Sequence, residues 1–161
     1  MIRHARPAEA EVLSDLALRS KAHWGYSQEF LAACKGELSY SAEQLNDEQS
    51  DFFVAKIAST TVGFYAISRI DAENYELAAL FLEPKHIGRG LGRRLLQHAL
   101  RKVASRGGLS LLVQSDPQAA KFYAAAGGKR IGSRESGSVR GRLLPLFRID
   151  IAAPTDGDPR S

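Results

Sequence analysis

The sequence predicts a mixed α/β fold around a central, partly parallel sheet, and three observations carry that reading. Helical patterns come first, then antiparallel strand patterns, then an alternation of strand, helix, strand, helix and strand. A continuous apolar run, Leu77-Ala78-Ala79-Leu80-Phe81-Leu82, shows no alternation, as expected of a central strand covered on both faces. That run leads into a glycine-rich turn, Ile87-Gly88-Arg89-Gly90-Leu91-Gly92, from which a helical pattern departs.

Each element has a local cause. Pro7 suits the first turn of a helix, and Val12, Leu13, Leu16 and Ala17 then recur at helical spacing, to about Lys21. His23-Trp24-Gly25-Tyr26 interrupts the pattern, and Ser27 is the N-cap of a second helix through about Cys34. Phe52 to Ala58 reads as a strand, Ser59-Thr60-Thr61 as a tight turn, and Val62 to Ile70 as the hairpin partner. Tyr75 to Leu82 is the third strand. Leu91, Leu95, Ala99 and Val103 mark one face of the next helix, which Gly107-Gly108 ends. Leu109 to Val113 is a short buried strand. Asp116 caps a helix from Pro117 to Ala126, and Gly127-Gly128 stops it. Strands are expected at about Gly128 to Arg134 and Leu143 to Ile151, joined by a polar, solvated loop. The sequence AAPTDGDPRS at the end reads as a disordered tail, which leaves residues 1–151 as one domain.

Composition narrows the class. Apolar and charged fractions of 44% and 25% in 161 residues are ordinary for a soluble globular chain. No run reaches the length of a membrane span, and the first residues lack the apolar stretch of a signal peptide, so a cytoplasmic location is expected. A single cysteine, Cys34, excludes an internal disulfide framework, and the four histidines have no zinc-ligand spacing, so no metal is expected. The formal charge of +4 is unevenly spread: Lys85 to Arg106 holds seven Lys or Arg and no Asp or Glu. A solvated helix face, a polyphosphate patch and a nucleic-acid surface all fit such a run. It surrounds the glycine turn and contains no interleaved aromatics, which favours the polyphosphate and disfavours nucleic acid.

A strand feeding alternating glycines and then a helix is a device for holding phosphate. The glycines let successive N–H groups converge, and the helix adds its unpaired first-turn donors and the positive end of its dipole. No Gly-Lys-Ser or Gly-Lys-Thr occurs, so this is not a nucleoside-triphosphate P-loop. A dinucleotide fingerprint needs G-x-G-x-x-G, and the third glycine falls on Arg93.

Leu80-Phe81-Leu82-Glu83-Pro84, Ile87 to Gly92 and Leu95-Leu96 together resemble the acetyl-CoA motif of the GNAT superfamily of N-acetyltransferases. Asp116-Pro117-Gln118-Ala119-Ala120-Lys121-Phe122-Tyr123 with Gly127 is similar to that family's other signature, N-x-x-A-x-x-F-Y-x-x-x-G. The resemblance implies a mixed, mostly antiparallel sheet of six to seven strands with about four helices, and acetyl-CoA as cosubstrate. It implies that Leu80, Phe81 and Leu82 pair with the pantetheine arm. Ile87, Gly88, Arg89, Gly90, Leu91, Gly92 and Arg93 would surround the pyrophosphate. Asp116 replaces the family's usual asparagine, which contacts the cofactor arm; an ionised Asp accepts but cannot donate, so the helix cap is its other expected role. Ile87 stands where the family often has Gln or Arg, at a position that demands only backbone.

The chemistry implied is transfer of acetyl to a primary amine by direct attack in a ternary complex. An alkyl ammonium has a reference pKa of about 10.4, so freeing the amine at pH 7 costs roughly 4 to 5 kcal/mol and a base is useful. Glu76, at the start of the central strand and 14 residues before Gly90, is the expected base; its spacing is similar to that of the glutamate in the family's histone-acetylating branch. The family's other position for a base, five residues before Asp116, is Leu111 here. Tyr123 stands where the family keeps a tyrosine that protonates the leaving thiolate. Cys34, far in sequence from both motifs, is given no part.

Trp24, Tyr26, Ser136 and Arg142 are candidates for the acceptor side, and Asp71, Glu73 and Glu76 point to a cationic acceptor, either a small molecule or a peptide amine. A homodimer is expected from the family. The alternative function is a non-catalytic acyl-CoA sensor, which would keep the glycine turn without needing Glu76 or Tyr123. A nucleic-acid-binding domain and a nucleotide-dependent oxidoreductase rank below it.

Overall fold

The computed structural model describes residues 1–151; the tail expected at 152–161 lies outside the described residues. The elements are β1 (Ile2–His4), α1 (Ala10–Ala22), α2 (Gln28–Cys34), α3 (Ala42–Leu45), β2 (Ser50–Ile57), β3 (Thr60–Arg69), β4 (Asn74–Leu82), α4 (Leu91–Ser105), β5 (Ser110–Gln114), α5 (Ala120–Ala125), β6 (Lys129–Glu135) and β7 (Leu143–Asp150). Short 3₁₀ turns begin at Pro7, Pro84 and Pro117, where proline's fixed φ suits a first turn. The seven strands form one sheet in the order β1-β2-β3-β4-β5-β7-β6. Only β4 and β5 run parallel; every other neighbouring pair is antiparallel.

Helices cover both faces. On one, α4 and α5 bring Leu95, Leu96, Val103 and Tyr123 against Phe53, Tyr65 and Ile67. On the other, α1, α2 and α3 bring Leu13, Leu16, Cys34 and Leu45 against Phe52, Val54 and Phe64. Strands enclosed this way read as unbroken apolar runs, which is why Phe52 to Ala55 and Val62 to Ile67 are buried throughout.

Two elements were not anticipated. The strand β1 is three residues long, and with only Ile2 apolar it has no pattern to detect; its place is set by pairing with β2 at Ile2↔Ala55. The helix α3 is also short, but it carries a visible signal. Ser41 accepts from the Gln44 N–H while the Gln44 side chain accepts from the Ser41 N–H, the reciprocal box of an S-x-x-Q start. The hairpin turn also differs from expectation. It is the pair Ala58-Ser59, both at positive φ, so β3 starts at Thr60.

The feature that positions the site is the divergence of β4 from β5. Their pairing spans only Asn74↔Ser110, Tyr75↔Leu111 and Glu76↔Leu112. β3 follows the other edge of β4 as far as Gly63↔Leu82, while β5 goes on to pair with β7 as far as Gln114↔Leu146. From Leu77 to Leu82, then, the β5-facing edge of β4 has no strand partner among the described residues. A β-bulge falls in the same place: Ala66 opposes Ala79 and Ile67 opposes Leu77, so Ala78 is the extra residue. The apolar run without alternation reflects cover on both faces, as expected. Tyr75, Leu77 and Ala79 are buried, with Leu80 and Leu82 packed on one core and Phe81 on the other, but Ala78 is exposed and Leu80 to Leu82 are half-buried because their open edge faces a cleft.

Candidate active site

The cleft is a cavity of about 790 Å³. The strand β4 runs along it from Glu76 to Leu82, about 20 Å of extended chain. At the Leu82 end it is lined by Ile87, Gly88, Gly90, Gly92 and Arg93. Glu37, Tyr40, Ser136, Arg142 and Leu144 line it as well. Asp116, Phe122 and Tyr123 form the wall opposite β4.

The glycine turn needs the backbone freedom of its glycines. Gly88 and Gly90 lie at φ +80° and +86°, the left-handed region that other residues adopt at a cost. A Cβ at either would meet nothing within 4 Å, so the demand there is on the backbone. Gly90 is the N-cap of α4, a helix of 15 residues whose first-turn N–H groups have no intrahelical partner and carry the positive end of its dipole. Arg93 lies on the cavity wall, while Arg89 is exposed outside the lining and Leu91 packs onto the core. Those two positions can offer backbone N–H groups; their side chains point elsewhere. Replacing Gly90 with valine forces a β-branched residue to φ +86°, at a cost of about 1 to 2 kcal/mol. Calorimetry is expected to show acetyl-CoA affinity reduced about tenfold or more in Gly90→Val.

Tyr123 is buried on α5, edge-on to Phe122 at 5.0 Å, yet it reaches the cavity. Among the described residues nothing hydrogen-bonds its hydroxyl. Burial pushes the phenol above its ordinary range, and the nearby Asp116 charge adds to the shift, so the group stays protonated at neutral pH. Glu76 projects into the other end of the cavity, where its Oε1 accepts from Arg134 Nη1 of β6 at 2.7 Å. Its Oε2 has no donor among the described residues.

Asp116 does more than cap. Its Oδ1 accepts the Gln118 N–H at 2.9 Å, the expected cap, and both oxygens accept the Tyr26 hydroxyl at 2.8 and 2.9 Å. Lys21 Nζ of α1 donates to Oδ2 at 2.5 Å, and Arg142 stands 3.7 Å from the same oxygen. Burial by itself would raise this carboxyl; the Lys21 ammonium with the Gln118 and Tyr26 donors outweighs it and holds the group below the usual carboxylate range.

Glu76, Leu80, Phe81, Leu82, Ile87, Gly88, Gly90, Gly92, Arg93, Asp116 and Tyr123 all line this one cavity. Trp24, Ser136 and Arg142 line it too. Asp71 and Glu73 do not. The Asp71 carboxylate braces its own turn, accepting the N–H groups of Glu73 and Asn74 and the Asn74 amide. Cys34 is nearer than its distance in sequence implied, since α2 packs into the same core cluster as α1 and brings it to the cavity wall. Lys21, Glu37 and Tyr40 were missed. Nothing in their local sequence marks them, and only the packing of α1 and of the segment after α2 brings them to the site.

A family model of the acetyltransferase (GNAT) domain matches residues 12–138. An uncharacterized N-acetyltransferase of Methanocaldococcus jannaschii is 30% identical over 143 residues, covering 83% of this chain and 61% of that protein. The N-alpha-acetyltransferase RimI of Mycobacterium tuberculosis is 34% identical over 96 residues, covering 56% of this chain and 60% of that one. The chain thus spans about three fifths of the length of these two relatives. In fold it is similar to the PaiA N-acetyltransferase of Thermoplasma acidophilum, solved with coenzyme A, at a TM-score of 0.75 and 23% identity over 93% of this chain and 98% of that one. With both motifs set on one cavity and the family's pattern matched across most of its length, this chain belongs to the GNAT acetyltransferase family.

Proposed function

We propose that the protein transfers an acetyl group from acetyl-CoA to a primary amine within a ternary complex. The observation that carries the reading is the unpartnered edge of β4, which joins Glu76 to the glycine turn along a cavity that also contains Tyr123. An extended pantetheine arm carries amide groups that can pair with Leu80 to Leu82 as a strand would. The pyrophosphate then falls to the turn of Gly88, Gly90 and Gly92 with Arg93 beside it. The amine nitrogen attacks the thioester carbon and the C–S bond breaks. Glu76 takes the ammonium's proton before attack, directly or through water; the departing thiolate takes the Tyr123 proton, and the second proton that nitrogen sheds as the amide forms restores the phenol.

The acceptor end suits a cation. Glu37 and Glu76 line the cavity with Arg142; Glu76 is ion-paired to Arg134 at 2.7 Å, whereas among the described residues Glu37 has no ion-pair partner and accepts the Ser138 hydroxyl, so Glu37 is the carboxylate left to meet an ammonium. The M. tuberculosis relative is an N-alpha-acetyltransferase by name, so an α-amino group is one acceptor class to try, beside alkyl amines. A cytoplasmic location and a homodimer belong to the same proposal; no helix among the described residues is long and apolar enough to cross a membrane.

Calorimetry with acetyl-CoA, NAD, ATP and a short DNA duplex tests the cosubstrate. Selective binding of acetyl-CoA is expected. Binding of DNA or NAD without acetyl-CoA would mean that the turn serves another ligand, and acetyl-CoA binding with no transfer to any amine would favour the sensor.

A further inference from the structure

The carboxylate at Asp116 occupies the place where the family's motif has an asparagine, and its surroundings differ from those of a cofactor contact. Both oxygens are already engaged. Oδ1 holds the Gln118 N–H and the Tyr26 hydroxyl, and Oδ2 holds Lys21 and the same hydroxyl, with Arg142 beside it. The Lys21, Asp116 and Arg142 side chains are all less than one-fifth exposed. These contacts reach three other parts of the chain. Lys21 lies near the end of α1, Tyr26 lies in the segment that leads into α2, and Arg142 enters β7. Arg142 also donates to the Tyr26 hydroxyl at 3.2 Å and lays its guanidinium 4.6 Å from the centre of the Phe30 ring of α2. Tyr26 and Phe30 stack at 4.3 Å, which makes the segment and the helix one unit. Asp116 thus fastens two separate pieces of chain, the stretch from Lys21 to Phe30 and the start of β7, to the 3₁₀ turn that begins at Pro117.

We propose that Asp116 is a positioning residue for the amine acceptor, holding Lys21 and Arg142 on the cavity wall with the help of Tyr26, which lies behind the lining, rather than a contact to the cofactor arm. This rests on the transferase reading. An asparagine cannot replace it. Its single oxygen could keep the Gln118 cap, but its NH₂ would then face the Lys21 ammonium, donor against donor. Turned the other way, it would lose the cap. Two cations, Lys21 and Arg142, would also be left beside a neutral group.

The test is a comparison of Asp116→Asn, Lys21→Gln and the double variant with the wild type, using a short alanyl peptide and diaminobutane as amine probes. In Asp116→Asn the KM for the amine is expected to rise about tenfold or more while the KM for acetyl-CoA moves less than about twofold. Lys21→Gln is expected to shift the amine KM in the same direction. The double variant is expected to be no worse than Asp116→Asn, because both changes break one clasp. The chain's single tryptophan, Trp24, lies two residues before Tyr26, so its emission reports on the wall without turnover. A red shift in Asp116→Asn that acetyl-CoA does not reverse is expected. A rise in acetyl-CoA KM or Kd with amine KM and Trp24 emission unchanged would overturn the inference, as would fully additive single effects. If the wild type acetylates neither these probes nor any other amine, the transferase reading is what fails; the Trp24 shift still decides whether the clasp holds the wall.

Discussion

Replacing Tyr123 with phenylalanine is expected to lower kcat by about 10² to 10³-fold, the range lost when a positioned general acid is removed, while leaving the KM for acetyl-CoA close to the wild-type value. The split follows from the surroundings of the residue. Its ring is held by Phe122, at 5.0 Å, and Phe147, at 6.4 Å, and these contacts survive in phenylalanine, so packing and the cavity wall are kept. Only the hydroxyl is lost, and among the described residues it has no bond whose loss would disturb the fold. The pH dependence has a definite sign. Burial shifts the phenol upward, so the acid form persists through the alkaline range in which an ordinary tyrosine begins to ionise. Turnover is therefore expected to show no basic limb from this group below pH ~10. Steady-state kinetics on wild type and Tyr123→Phe give both quantities. An unchanged kcat would remove Tyr123 from proton transfer.

Replacing Glu76 with glutamine is expected to lower kcat/KM for the amine by about 10 to 100-fold at pH 7. The loss should shrink as pH rises. Near neutrality the acceptor is almost all ammonium, and a carboxylate that takes its proton offsets part of roughly 4 to 5 kcal/mol. Each pH unit towards the amine's own pKa removes about 1.4 kcal/mol of that requirement, so a base matters less. Profiles of log kcat/KM against pH for wild type and variant are therefore expected to converge on the alkaline side. Parallel profiles would mean that Glu76 acts only by charge or by its bond to Arg134, at 2.7 Å.

The parts of the site that the sequence disclosed are those whose causes are local. Gly88 and Gly90 announce positive φ because few other residues adopt it cheaply. Asp116 before Pro117 announces a helix start because the cap spans two residues, and it does accept the Gln118 N–H. What could not be read depends on how distant pieces meet. The Lys21 and Tyr26 partners of Asp116 lie 95 and 90 residues away, with no spacing that could flag them. Cys34 and Glu37 reach the cavity only because α2 packs into the same core cluster as α1. The run from Leu77 to Leu82 identified the central strand correctly, but the bulge at Ala78 and the early parting of β4 from β5 come from the register of two neighbours. β1 lay below detection because three edge residues make no pattern.

The central claim is tested most directly by incubating the protein with acetyl-CoA and a panel of primary amines that includes an alanyl peptide, diaminobutane and an aminoglycoside. Released CoA thiol and acetylated amine are measured in the same samples. The expected result is one acetyl group on the amine for each thiol released, only when protein, acetyl-CoA and amine are all present, and nearly abolished in Tyr123→Phe. Bound acetyl-CoA with neither thiol nor acetylated amine across the panel would contradict it.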